Sequence, residues 1–375
     1  MAELFSNVLN VTWQQAVMWV IGGVLIWLAI KKDMEPTLLL PLGFGTILVN
    51  LPLSGAVNQL YGSVLEPGAV DVLFDAGIAN ELFPLLLFIG IGAMIDFTPL
   101  LANPKLMIFG AASQFGIFFT MSLAALLGFG LKDAASIGII GAADGPTSIF
   151  VANFFNSKYI GAIMVAAYSY MALVPLVQPP VIKALTTKHE RLIRMPYAQK
   201  TVSKRTRILF PIVITMVAGV VSPRSVALIG FLMFGNLIRE CGVLDALSET
   251  AQKVLSNLIT LLLGLTIATK MQAQYFLTRE TLMIIALGLV AFVFDTAGGV
   301  LFAKLVNLFL PKEKKINPMI GAAGISAFPM SARVIHKMGL KEDNQNFLLM
   351  HAIGVNVSGQ IASVIAGGLI LNMLG

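Results

Sequence analysis

The chain has 375 residues, 57% of them hydrophobic and only 12% charged, with a mean hydropathy of +0.86. Soluble domains carry about one-quarter charged residues, so a water-soluble fold is excluded, and the net charge of +6 is read as loop charge that sets membrane topology rather than as a nucleic-acid surface. Cys241 is the only cysteine, which excludes a disulfide framework and a Cys-built metal centre.

In chain order, Met1 to Gln15 holds Glu3 but no basic cluster, and no small-residue cleavage pattern follows, so the first apolar run is read as a retained span. Windows of roughly 20 apolar residues place spans near 12–30, 37–53, 82–95, 106–129, 159–182, 208–221, 225–238, 254–269, 282–310 and 347–374. Two apolar segments remain, 134–154 and 316–330. Asp144-Gly145-Pro146 interrupts the first, and Gly321, Gly324, Ser326 and Pro329 crowd the second. Continuous helices avoid such residues, so each segment is read as a re-entrant, broken-helix hairpin.

Charge tests that reading. The loop 183–207 carries eight Lys and Arg against Glu190 alone and is therefore cytoplasmic. With both hairpins re-entrant, twenty of the 25 basic residues fall inside, and only Lys132, Lys158, Arg224, Lys270 and Arg279 fall outside. Treating one hairpin as a crossing flips every later loop. The expected fold is an all-α polytopic membrane protein of about ten spanning helices, its two hairpins entering from opposite sides as in inverted-topology repeats. Residues 1–375 form one membrane domain: N-terminal spans (1–80), repeat 1 (81–182), the basic loop (183–207) and repeat 2 (208–375). The hairpins share a pattern, Ile140-Gly141-Ala142-Ala143 against Ile320-Gly321-Ala322-Ala323. Small residues that let helices approach closely are the other explanation of that likeness.

Asp144 is the most informative residue, because a carboxylate at membrane depth costs several kcal/mol unless it is paired, hydrated or holding a cation. Unwinding at Gly145-Pro146 frees carbonyl oxygens for a hard cation; the same Asp could also cap the second half-helix. Asn317, Ser326 and Asn356 are neutral oxygen donors, which suit a monovalent cation beside one carboxylate; Asn356 could equally be polar glue between helices. Tyr170 could shuttle a proton or line a cavity, or sit at headgroup depth. Arg333 could bind a carboxylate by its fork, or serve topology alone. Asp295, mid-span, is a second-rank ion or packing residue. His189, His336 and His351 lack metal-ligand spacing, and no phosphate-binding Gly-rich loop ending in Lys is present, so energy comes from an ion gradient or a partner.

The stretches 138–147 (GIIGAADGPT), 166–180 (AAYSYMALVPLVQPP), 317–326 (NPMIGAAGIS) and 354–360 (GVNVSGQ) closely resemble the β subunits of biotin-dependent, sodium-pumping decarboxylases acting on oxaloacetate, methylmalonyl-CoA or glutaconyl-CoA. The resemblance covers nearly the whole chain. It implies a carboxybiotin decarboxylase that exports Na⁺ and consumes a proton in a bacterial inner membrane. Its implied partners are a carboxyltransferase α subunit, a biotin carrier subunit and a small γ/δ-type membrane subunit, with homo-oligomers allowed. By the same resemblance, Asp144, Asn317, Gly321, Ser326 and Asn356 are Na⁺ residues, Tyr170, Ser326 and Arg333 act in the reaction, and Arg333 meets carboxybiotin. The short chain leans toward an acyl-CoA enzyme. A Na⁺-coupled carrier of an organic solute is the alternative, and a mere anchor for a cytosolic enzyme is a third reading.

Overall fold

A computed structural model describes residues 10–32, 36–61, 64–196 and 201–375. Glu3, with the other residues through 9, and Lys200 of the basic loop lie outside the described residues. Helix dominates, as it must where hydrocarbon leaves backbone amides no other partner. Helices α1 (Trp13–Lys32) and α2 (Pro36–Val49) approach closely at Gly22 and Gly43, where a methyl on either would lie within 2.7 Å of the other's carbonyl oxygen. A short antiparallel pair, β1 (Gln59–Tyr61) and β2 (Val64–Glu66), follows, with Leu60 opposite Leu65.

Helices α3 (Ala69–Ala79) and α4 (Leu82–Met94) form a pair bent by 61°, and Glu81 at the break has a φ of +66°. Helix α5 (Pro104–Leu126) is interrupted at Gln114. The first expected hairpin is α6 (Leu131–Gly138), a tight turn over Ile139–Ala142, and α7 (Gly145–Phe154). Helix α8 (Ile160–Leu185) bends by 69° between Met171 and Leu173. Pro175 is the cause, since it lacks the amide that would bond the Met171 carbonyl. Then come α9 (Lys204–Val221), α10 (Val226–Cys241), α11 (Asp245–Met271) and α12 (Arg279–Phe309). The second hairpin enters as a tight 3₁₀ run, Pro318–Gly324, passes a cis Phe328–Pro329 peptide and returns as α13 (Met330–Glu342), so its returning arm extends well past residue 330. Helix α14 (Leu349–Leu374) closes the chain.

Each expected span coincides with a helix, but length and apolarity alone qualify fewer of them. Among the described residues, five helices are long and apolar enough to cross a bilayer, α1, α5, α11, α12 and α14, and up to seven spans result if each bent pair counts as one. Helix α2, at 14 residues, is shorter than the roughly 20 that a hydrocarbon core needs. Three apolar clusters result among the described residues, one of them joining α6 and α8 to α12 through Ile137, Ile163, Tyr170 and Leu287. Met18, Leu38, Leu42, Leu263 and Ile267 join the N-terminal helices to α11, whereas Ile139, Ala142, Met319, Ile325, Val355 and Val357 gather the hairpins around α14.

Candidate functional site

The turn of the first hairpin is built on Ala143, a non-glycine residue at φ +52°. The chain then extends at Asp144, which caps α7, while Gly145 and Pro146 occupy the first helical turn, where a missing amide does no harm. Asp144 is 3% exposed. Its Oδ2 accepts hydrogen bonds from Thr147 Oγ1 (2.7 Å), Ser363 Oγ (3.0 Å) and Gln360 Nε2 (3.2 Å), and its Oδ1 accepts one from the Thr147 amide (3.4 Å). All the donors are neutral, so the carboxylate is oriented but its charge is uncompensated, and Oδ1 is the less engaged oxygen. Capping and charge placement thus coexist in one residue.

The other hairpin tip lies directly alongside. The Ser326 amide donates to the Ala142 carbonyl (2.9 Å), joining the two tips through their backbones, and Ser326 Oγ donates to the Gly359 carbonyl (3.1 Å). Asn356 Nδ2 donates to the carbonyls of Ile325 (2.7 Å) and Ala323 (3.1 Å), while its Oδ1 is buried without a partner. Asn356, Gln360 and Ser363 stand at i, i+4 and i+7 and so share one face of α14. That face grips the second tip with Asn356 and the first with Gln360 and Ser363.

The remaining expected residues lie in three other settings. Gly321 is pressed on α12, where a methyl would lie 2.0 Å from the Gly299 carbonyl oxygen, and its own carbonyl accepts from Ser113 Oγ (3.1 Å). Asn317 caps the entrance of the second hairpin through the Met319 amide (3.1 Å), and its Nδ2 holds the carbonyls of Arg191 and Ile193 (2.9 Å each). Its side chain therefore ties the basic loop rather than the tips. That loop is bound again by Arg191 to Glu342 (2.7 Å) and Arg194 to Asp343 (2.6 Å), at the end of α13. Arg333 is exposed on the first turn of α13, with no ion pair or side-chain hydrogen bond among the described residues.

Two tyrosines two positions apart on α8 point in different directions. Tyr170 is buried, donates its hydroxyl to the Ile285 carbonyl and packs on Gly288 of α12. Tyr168 is the one beside Asp144: a methyl on Gly145 would lie 2.3 Å from its Cζ, and its buried hydroxyl has no partner. Sequence reasoning did not single out Tyr168, Thr147, Gln360 or Ser363. Spacing carried a signal for three of them: Thr147 stands three residues after its cap, and Gln360 and Ser363 share the helical face of Asn356.

The tips, α14 and Tyr168 therefore contribute a buried carboxylate and, among the described residues, an amide oxygen and a hydroxyl without partners, oxygen atoms of the kind that suits a small monovalent cation beside a single negative charge.

A family profile described as "Na+-transporting oxaloacetate decarboxylase beta subunit" matches residues 14–374. The glutaconyl-CoA decarboxylase subunit beta of Acidaminococcus fermentans is 49% identical over 99% of this chain and 96% of its own length. The methylmalonyl-CoA decarboxylase subunit beta of Veillonella parvula is 48% identical over 98% and 95%. The oxaloacetate decarboxylase beta chain of Klebsiella pneumoniae is 46% identical over 95% and 94%.

Proposed function

The chain belongs to the family of Na⁺-transporting oxaloacetate decarboxylase beta subunits and is a decarboxylase subunit of a Na⁺-translocating, biotin-dependent complex; from that premise we propose how its own residues couple the two processes. Carboxybiotin, presented by a separate carrier subunit, loses CO₂ at the cytoplasmic face, one proton is consumed, and Na⁺ leaves the cell through the hairpin tips. The observation that carries this reading is the uncompensated Asp144 carboxylate beside two hairpin tips held by one helix. Na⁺ binds Asp144 with Asn356 Oδ1 and the carbonyls and hydroxyl of the tips, Ser326 included. The loaded site is then neutral, which lowers the cost of moving it through hydrocarbon.

Gly321 contributes by letting the second hairpin press on α12, and Asn317 by fixing that hairpin to the basic loop, so both act on the Na⁺ site from a distance. Arg333, exposed and free to pair, receives the carboxylate of carboxybiotin through its planar fork. Ser326 and Tyr170 serve the proton's path, Ser326 from the tips and Tyr170 from the α8–α12 contact. The hairpins form the centres of two inverted repeats within a ten-span inner-membrane protein, and carboxybiotin loss and ion release favour different positions of the tips. The complex includes the carboxyltransferase α subunit, the biotin carrier and a small γ/δ-type subunit.

The substrate leans to an acyl-CoA. Matches to the glutaconyl-CoA and methylmalonyl-CoA subunits run over 370 and 369 positions, but that to the Klebsiella oxaloacetate chain over 411, so the latter pairing needs insertions. A Na⁺-coupled solute carrier would require an organic pocket between the tips; the direct Ser326–Ala142 backbone bond argues against one.

The test is CO₂ release from free carboxybiotin by the purified chain in proteoliposomes, with and without Na⁺, for wild type and Asp144→Asn. Na⁺-dependent release that disappears in the variant is expected. Na⁺ dependence that survives Asp144→Asn would remove the carboxylate from the ion site.

A further inference from the structure

Asp295 lies mid-way along α12, is fully buried, and has no place in the mechanism above. Its Oδ1 accepts a hydrogen bond from the Ile117 amide (3.1 Å). That amide is available because α5 breaks at Gln114: Ile117 N reaches back to the Gln114 carbonyl (3.2 Å), one residue short of the ordinary helical partner. The carboxyl is wedged between two glycines. A methyl on Gly116 would stand 2.5 Å from Oδ1, and a methyl on Gly141 would stand 2.6 Å from Oδ2. Gly141 belongs to the tight turn of the first hairpin, only three residues before Asp144.

The second oxygen, Oδ2, is buried with no hydrogen-bond partner among the described residues. No cation compensates it among the described residues. Of the elements packed on this part of α12, α5 and the hairpin turn present Gly116, Ile117 and Gly141 to the carboxyl. The titratable groups those elements and α8 carry face elsewhere or stand at their ends: Asp144 with Thr147, Gln360 and Ser363; Tyr168 against Gly145; Tyr170 with the Ile285 carbonyl; Asp133 with Ser157; Lys132 over the Phe155 ring; Lys105 at the start of α5; and Lys183 in the last turn of α8. An uncompensated carboxylate oxygen in such a place costs several kcal/mol. A Na⁺ ion would need several further oxygens around Oδ2, whereas the space between Gly141 and Oδ2 is closed by the Ala291 methyl group, and the Ala291 carbonyl oxygen lies on the Gly116 side, toward Oδ1. A proton on Oδ2 removes the charge and needs no such shell.

We propose that Asp295 is a proton-binding site controlled by the first hairpin. With Gly141 seated against Oδ2, as here, the side chain is the neutral acid. When the hairpin withdraws and water enters the gap, the O–H bond breaks, the proton passes to that water, and the carboxylate stays bonded to the Ile117 amide. This rests on the reading that the hairpin tips move during transport. It gives the proton a binding place of its own, coupled to the ion site through three residues of one turn.

The test is infrared spectroscopy of the full chain reconstituted in lipid, reading the C=O stretch of protonated carboxylic acids. A band present in wild type, lost in Asp295→Asn and kept in Asp144→Asn is the expected result. Absence of such a band from wild type, or its survival in Asp295→Asn, overturns the proposal. Should Asp295→Asn fail to assemble, Gly141→Ala serves instead: its methyl would press on Oδ2, so the band shifts if it belongs to Asp295 and stays in place if it does not. The spectrum needs neither carboxybiotin nor an ion gradient, so failure of the decarboxylation assay and failure of this proposal are separate outcomes.

Discussion

Gly359→Ala is the most direct test of the arrangement in which α14 holds both hairpin tips. A methyl at Gly359 would stand 2.1 Å from the Gly324 carbonyl oxygen and 2.6 Å from its carbon, both backbone atoms that no rotamer change can clear. Restoring ordinary contact requires α14 and the second tip to separate by about 1 Å. The same displacement acts on Asn356 Nδ2 to Ile325 (2.7 Å) and Ala323 (3.1 Å), and on Ser326 Oγ to Gly359 (3.1 Å). Stretched by that much, all three bonds pass out of hydrogen-bonding range. Overpacking costs about 1–3 kcal/mol and each lost hydrogen bond about 0.5–1.5 kcal/mol, so a destabilisation of roughly 2.5–7.5 kcal/mol is expected. Unfolding of the purified variant in mixed micelles measures it, and Na⁺-dependent CO₂ release should fall with it. Gly23→Ala is the control, since a methyl there meets nothing within 4 Å and a helical Gly→Ala change stabilises by about 0.5–1 kcal/mol. A Gly359→Ala protein with wild-type stability and Na⁺ dependence would refute the claim that α14 contacts the second tip this closely.

Ala143→Gly should keep activity and leave stability unchanged or raised by up to about 1 kcal/mol, because it relieves a left-handed residue at φ +52°; thermal unfolding checks this, and a clear loss of stability would mean that the turn is not strained. Tyr168→Phe removes a hydroxyl beside the ion site and should raise the Na⁺ concentration needed for half-maximal rate without a large loss of stability. Tyr170→Phe instead removes a second donor from the Ile285 carbonyl, which lies inside α12 and keeps its helical partner, and should cost about 0.5–1.5 kcal/mol of stability; equal effects on Na⁺ dependence would contradict the geometry. Asn317→Ala frees the Ile193 carbonyl and leaves the Arg191 carbonyl to Asn346 alone, so protease cleavage in the basic loop should become faster at unchanged Na⁺ affinity, whereas a selective loss of Na⁺ affinity would make Asn317 a ligand.

The helices and both hairpins were legible because membrane-depth Gly, Pro and Asp are costly and therefore stand out against apolar runs. The partners of those residues were less legible. Asp144 could be read as buried and cation-seeking, but nothing in sequence says that Gln360 and Ser363 would be the groups to reach it from more than two hundred residues away. The AAYSYM stretch held two tyrosines, and a step of two on a helix turns a side chain through more than half a circle, so only the path of α8 could say which one faces Gly145. The break of α5 at Gln114 has no Gly or Pro at the interrupted position and owes its form to tertiary partners, the Gln114 side chain on the Gly324 carbonyl and Asp295 on the Ile117 amide. Asn317 looked like an ion ligand by residue type, and its bonds to the loop depend on where residues 191–193 travel after α8 ends.

The backbone bond from Ser326 to Ala142 also bears on leakage. A pump that stores a gradient loses it if the resting protein offers ions a continuous wet path. Here the two tips are sealed to each other by main-chain atoms, flanked by Ile139, Ile325 and Val355 with no exposed surface. Only a proline at position 326, which has no amide hydrogen to donate, would delete that bond directly, and on the proposed route an ion passes only when the tips part, which costs the bond each time. Idle protein in an energised membrane is therefore closed by default, and leak through it is set by how often the tips separate without carboxybiotin.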